Sequence, residues 1–173
     1  MSKLAKAVSS FLLLLVAIPS CSYASAPQAA TKSYTTGRIL LLPPASHEKE
    51  AGSGQEFQNA LRARLEQAGF EVVTADNAAA GVTRERGIAE ARRLKANYVF
   101  QAELGAWQDA APMTFRPDYA YLDKAVMYDV HSGEAVWELT APQYLQKGNF
   151  GSYLSLLDEH ARAVADSIRA HRQ

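Results

Sequence analysis

The sequence predicts an α/β (α+β) domain: a single mixed β-sheet with three helices, in the order β-α-β-α-β-β-β-α. Three observations predict it. Short apolar runs alternate with helical periodicity through the first half of the chain, the pattern of parallel strands joined by crossover helices. Strand-like runs joined by turn residues fill much of the second half, the pattern of an antiparallel meander. A long amphipathic segment then closes the chain. The composition suits such a domain: 173 residues, 48% hydrophobic and 21% charged, are globular rather than disordered. A domain of this size buries roughly two-thirds of its unfolded surface, so it needs no disulfides.

The elements follow in chain order. Arg38–Leu42 (RILLL) is a continuous apolar run stopped by Pro43-Pro44, and reads as a buried central strand. Ser53 with Glu56 three residues on is a capping box, so a helix begins there. Phe57, Leu61, Leu65 and Ala68 recur at helical spacing, and Gly69 is its natural stop. Phe70–Thr74 (FEVVT) is the second strand. Thr83 caps a second helix running to about Ala96, with a thin apolar side of Ile88, Ala91 and Leu94. Arg84, Arg86, Arg92, Arg93 and Lys95 crowd its other side, which reads as a solvated face that Glu85 and Glu90 can pair, with a basic docking face as the alternative.

Tyr98–Ala106 alternates, with Tyr98, Phe100, Ala102, Leu104 and Ala106 on one face. Tyr119–Val130 is a long strand with weaker alternation, Leu122, Val126, Tyr128 and Val130 set against Asp123 and Asp129. Ser132-Gly133 reads as a two-residue hairpin turn. Ala135, Trp137 and Leu139 continue the returning strand. The last helix runs from about Phe150 to Ala170, with Tyr153, Leu156, Leu157, His160, Ala161, Val164 and Ile168 as its apolar stripe. His160 reads as a core-edge histidine.

The amino-terminal residues read as an address. Lys3 and Lys6 precede Phe11–Ile18 (FLLLLVAI). That run is too short to span a bilayer, which takes about 20 apolar residues, but it fits the apolar region of a secretory signal. Ile18-Pro19-Ser20-Cys21 resembles the bacterial lipobox, with Pro19 where the pattern has a small residue. Cys21, the only cysteine, is then the lipidation site and the first mature residue. Cleavage after Ala24 or Ala26 without a lipid is the rival route. The expected layout is a lipoprotein signal peptide at 1–20, a lipidated end and flexible tether at 21–36, and a globular domain at 37–173. Ser22 is not the aspartate that keeps lipoproteins in the inner membrane of enteric-type bacteria. The expected location is therefore the periplasmic face of the outer membrane, with soluble periplasm as the alternative.

Two phrases carry a family resemblance. Gly87-Ile88-Ala89-Glu90-Ala91-Arg92 leads into Ala96-Asn97-Tyr98-Val99-Phe100, and Asp129-Val130-His131-Ser132-Gly133-Glu134-Ala135-Val136-Trp137 resembles a D-x-x-(S/T)-G-x-x-aliphatic-W hairpin. Both are similar to domains of the TolB amino-terminal type, found also in the curli secretion lipoprotein and in lipoprotein activators of penicillin-binding proteins. Over roughly residues 37–170 the chain resembles the bacterial lipoprotein family called domain of unknown function 4823. The resemblance implies a lipid-anchored periplasmic domain that works by protein contacts or assembly, and it carries no catalytic residues.

The residues themselves offer little chemistry. The one thiol lies in the leader or is acylated. No H-E-x-x-H occurs, and His47-Glu48-x-Glu50 reads as a polar loop rather than a metal site. Gly52-Ser53-Gly54 lacks the lysine of a nucleotide phosphate loop, and there is no G-x-S-x-G elbow. Asp123 and Asp129 share a strand face but stand roughly 20 Å apart, too far for joint acid/base work. Removing residues 1–20 takes two lysines, leaving 16 Lys+Arg against 18 Asp+Glu. A net charge near −2 gives no overall lure for nucleic acid or anionic lipid. Trp107, Phe115, Tyr119 and Tyr121 cluster in sequence around Pro112 and Pro117, as partner-binding anchors or as caps on the core. No metal or cofactor is expected, nor nucleic acid. The expected function is a non-enzymatic, lipid-anchored envelope lipoprotein bound to an envelope protein or to copies of itself. A soluble periplasmic enzyme or small-ligand binder is the alternative. No pair of long apolar-alternating hairpins is present, so the domain alone is not expected to form a barrel.

Overall fold

The computed structural model describes residues 34–46, 53–75, 80–108, 118–139, 142–147 and 153–172. Its elements in order are β1 (Arg38–Leu41), β2 (Ala45–Ser46), α1 (Ser53–Gln67), β3 (Glu71–Thr74), α2 (Arg84–Arg93), β4 (Tyr98–Gln108), β5 (Asp118–Asp129), β6 (Ala135–Glu138), β7 (Gln143–Lys147) and α3 (Tyr153–Ala170). The predicted α+β order is present, with β2 and β7 as two further short strands. The sheet runs β3-β1-β4-β5-β6, with β2 paired to β4 and β7 paired to β5. β3, β1 and β4 are parallel, β2 also pairs parallel to β4, and β5, β6 and β7 form the antiparallel part.

β1 buries both of its faces, which is why it reads as an unbroken apolar run. Ile39 and Leu41 enter a large core with Phe57, Leu61 and Leu65 of α1 and Leu156, Leu157, Ala161, Val164 and Ile168 of α3. Leu40 and Leu42 point to the other face and meet Ile88 and Ala91 of α2. The two crossovers therefore lie on opposite faces, as right-handed β-α-β connections to either side of β1 require. Arg64 ties α1 to α3, its Nη2 standing 2.7 Å from Asp158 Oδ2. That bond, with one from Arg162, holds the Asp158 carboxyl below its usual range.

The helix ends repay a comparison. After α1, Gly69 N–H donates to Glu66 O and Phe70 N–H to Leu65 O, with Gly69 at φ 91°. After α2, Lys95 N–H donates to Arg92 O and Ala96 N–H to Ala91 O, with Lys95 at φ 55°. Both helices close with the same left-handed cap, but only α1 uses the residue suited to it. This cap ends α2 at Arg93, short of the expected Ala96. Its start is as expected: Thr83 accepts a bond from Arg86 N–H. Lys95→Gly should therefore raise stability by about 1 kcal/mol, read as a higher urea midpoint; an unchanged or lower midpoint would contradict it.

Five other expectations change. The β5–β6 connection is longer than a two-residue turn. Gly133 N–H donates to Asp129 O and Asp129 N–H to Glu134 O, leaving Val130–Gly133 as a four-residue loop. Asp129 accepts from Ser132 N–H and Oγ–H, which holds that wider loop. The alternation of β5 breaks at Asp123, because β4 pairs Glu103 with Lys124 but Leu104 with Leu122. The extra residue turns Leu122 and Ala125 into the same core. It also breaks the shared face expected for Asp123 and Asp129. A second shift after Leu104 accompanies the exposure of Ala106. His160 is not at the core edge: it is fully buried.

The domain also begins earlier than residue 37. Tyr34, expected in the tether, is 4% exposed. Its hydroxyl donates to Ile168 O, its ring meets Tyr98 edge to face, and its backbone bridges Arg172. Burial raises its phenol pKa. Among the described residues, no helix is long and apolar enough to cross a membrane.

Candidate functional site

The face of the sheet that carries α2 is covered unevenly. α2 packs on β1, on the start of β4 at Val99 and beside Val130 after β5. Its apolar side is only ten residues long, so it cannot reach the far ends of β4 and β5. Beyond its amino-terminal end lies a cleft of about 300 Å³, lined by Leu42, Val82, Gln101, Glu103, Lys124 and Val126 among others. Gln101 Nε2 donates to Val82 O at 2.7 Å and ties the loop before α2 to β4. The cleft sits past the carboxyl end of β1 and over the middle of β4, at Gln101–Glu103. Open α/β sheets hold ligands outside the carboxyl ends of their parallel strands.

Farther along the same face stand three tyrosines. Tyr119 and Tyr121 follow each other on one side of β5, while Ala120 and Leu122 between and after them enter the core. β7 pairs with this stretch, setting Tyr144 directly opposite Tyr121. Their ring centroids are 4.5 Å apart, and Tyr119 lies 6.1 Å from Tyr121 and 6.2 Å from Tyr144. Tyr144 is 38% exposed and donates to Gln146 Oε1. Tyr119 and Tyr121 are half-buried. The three rings are inclined to one another by 35–77° and form one aromatic cluster across β5 and the outer strand β7.

The sequence-predicted residues fare unequally. Tyr119 and Tyr121 do come together. Trp107 lies on β4 with its backbone paired to Ala120, and its side chain is outside the described part. Phe115, Cys21 and His47 are outside the described residues. Tyr144 was missed by sequence reasoning. The signal was its place in Gln143-Tyr144-Leu145-Gln146, a short alternation that reads as a strand only once a partner is known. Among the described residues, no group of three or more His, Cys, Asp or Glu could hold a metal.

The basic face of α2 is partly paired. Arg93 contacts Glu90 at 2.6 Å, Arg84 lies over the Tyr128 ring, and Arg92 donates to Val130 O.

No family model matches the chain, and no curated protein matches it. Solved structures do. PelC from Paraburkholderia phytofirmans, described as a dodecamer, aligns with a TM-score of 0.69 at 14% identity, over 83% of this chain and 95% of that one. Lipoprotein GNA1162 from Neisseria meningitidis aligns with 0.55 at 17% identity, over 77% and 98%. The hypothetical protein CT253 from Chlamydia trachomatis aligns with 0.54 at 12% identity, over 79% and 98%. At these identities the likeness is one of fold.

Proposed function

We propose that this chain is a lipid-anchored lipoprotein of the bacterial envelope whose domain acts through protein contacts and performs no chemistry. Its signal, residues 1–20, is removed, Cys21 is acylated, and the acyl chains hold it to the periplasmic face of the outer membrane. Two or more such chains anchor stably where one does not. The observation that carries the contact reading is the Tyr119–Tyr121–Tyr144 cluster across β5 and the outer strand β7. Tyrosine rings bring large rigid area at little entropic cost and are favoured at protein interfaces. The fold shared with a described lipoprotein supports the same reading. The fold shared with a described dodecamer supports copies of this chain as one partner.

One experiment tests it: crosslinking in cells that carry the native chain, Tyr121→Ala/Tyr144→Ala, or Cys21→Ala. The native chain should yield one dominant adduct, in the membrane fraction. The double tyrosine variant should lose that adduct at least tenfold while melting within a few degrees of the native protein. Cys21→Ala should leave the membrane. An undiminished adduct from the double variant would sink the contact surface, and a membrane-bound Cys21→Ala would sink the anchor.

The cleft past the carboxyl end of β1 favours a second reading, a small-ligand binder. A ligand-dependent rise in melting temperature that Gln101→Ala removes would support it over the first.

A further inference from the structure

Three helices end at one end of this molecule. Two crossover helices return to the same edge of a parallel sheet, and α3 comes down antiparallel to β7. Three contacts confirm the shared end: Arg172 Nη1 donates to Ala68 O after α1, Arg38 Nη1 to Leu94 O after α2, and Tyr34 bridges Arg172 after α3. Basic residues favour helix carboxyl ends, so the topology gathers them. Arg38, Arg92, Arg93, Lys95, Arg169 and Arg172 lie here against Glu71, Glu90, Asp129, Glu134 and Asp166, with Arg62–Glu66 a neutral pair beside them. The end carries an excess of cations in a mature chain whose net charge is acidic.

Part of that charge answers the helix carbonyls, as Arg38 and Arg172 do directly. Arg38 and Arg93 are also matched, by Glu71 and Glu90, each at 2.6 Å. Arg92 and Arg169 lie on the last turns of α2 and α3, and Lys95 just after α2, all exposed. Arg92 gives one N–H to the neutral Val130 carbonyl.

The described residues begin at this same end, at Tyr34. Only residues 22–33 separate that point from Cys21. A polar segment of twelve residues spans at most about 40 Å stretched and roughly 20 Å as a coil. An anchor at Cys21 therefore holds the basic end, and not the tyrosine surface, nearest the lipid.

We infer that this end docks on anionic headgroups of the membrane in which the protein is anchored, with Arg92, Lys95 and Arg169 against their phosphates. The inference rests on the anchored reading above. The domain then stands upright, its tyrosine face and cleft turned toward the periplasm. Each Lys or Arg near an anionic surface strengthens attachment about fivefold, within a Debye length.

The test uses the lipidated protein in vesicles, either rich in phosphatidylglycerol or of phosphatidylcholine alone. An environment-sensitive fluorophore is placed at Ala170→Cys, exposed at the basic end, or at Leu154→Cys, 48% exposed at the start of α3. The label at Ala170→Cys should shift to the blue and be quenched by headgroup-labelled lipid on phosphatidylglycerol vesicles only. The label at Leu154→Cys should stay in water. Lys95→Gln/Arg169→Gln should lower the docked-to-undocked ratio about 25-fold, and high salt should act likewise. Labels that behave alike at both sites, or a label at Ala170→Cys equally buried on phosphatidylcholine, overturn the docking. The mass of Cys21 separates the two readings. Acylation with the label at Ala170→Cys in water overturns the docking alone, whereas a free Cys21 thiol overturns the anchor and the docking with it.

Discussion

Trp137→Ala should lower the stability of the domain by about 3–5 kcal/mol, a fall of roughly 10–20 °C in melting temperature. Trp137 is fully buried. It lies on β6 and stacks on Phe100 of β4, with ring centroids 6.1 Å apart and planes 26° apart. Its indole N–H donates to Ser167 Oγ of α3 at 3.0 Å, a buried bond. Truncation removes the ring, leaves a cavity between the meander and α3, and strips the Ser167 hydroxyl of its donor. Trp137→Phe should cost less, since it fills most of the cavity and loses mainly the bond. Urea denaturation of both variants gives the comparison. A loss below 1 kcal/mol for Trp137→Ala would mean that the β6 strand is not packed as described.

Acidification should destabilise the domain through His160. The imidazole is fully buried, with Nε2 3.0 Å from Ala120 O. A carbonyl can only accept, so Nε2 carries the proton and Nδ1 is bare. Nδ1 has no hydrogen-bond partner among the described residues. Protonating it would place a charge in an apolar core. Burial accordingly pushes the His160 pKa down, against smaller upward effects from the Ala120 bond and Glu159. The unfolded chain then binds the proton more readily than the folded one. Its contribution is whole above the unfolded value of about 6.5, falls as pH drops through that value toward the lowered folded pKa, and levels off below it. The melting temperature should drop across that window. His160→Gln keeps a donor for Ala120 O and cannot charge, so it should flatten this part of the profile even if it melts lower at neutral pH. An unchanged slope in His160→Gln would remove His160 as the cause.

The architecture was legible where one period dominated. The α3 stripe from Leu156 to Ile168 repeats every three to four residues over the whole helix, and all of it is buried. β1 was legible because both its faces are covered. β2 was not, since two residues hold no period. β7 was not, because Gln143–Lys147 alternates weakly and owes its strand form to pairing with β5. The face change in β5 was hidden for a related reason: a bulge is set by two strands, and the extra residue at Asp123 exists only relative to β4.

The candidate site shows the same divide. Tyr119 and Tyr121 were found because they are neighbours in sequence. Tyr144 lies more than twenty residues on and joins them only through strand register. The charge reading was limited too. Net charge says nothing about where a topology puts its cations, and here three helix carboxyl ends gather them at one end of an otherwise acidic body.

The seat of Tyr34 has a mechanical consequence. Any pull transmitted from the amino-terminal side enters the body at this residue. The load falls first on its hydroxyl bond to the end of α3 and on its ring against Tyr98, ahead of the hydrogen bonds of β1. The first and last described segments touch there, so the domain is gripped like a loop closed at its knot. Tension on one end is shared with the other, and the sheet between them is spared being peeled strand by strand.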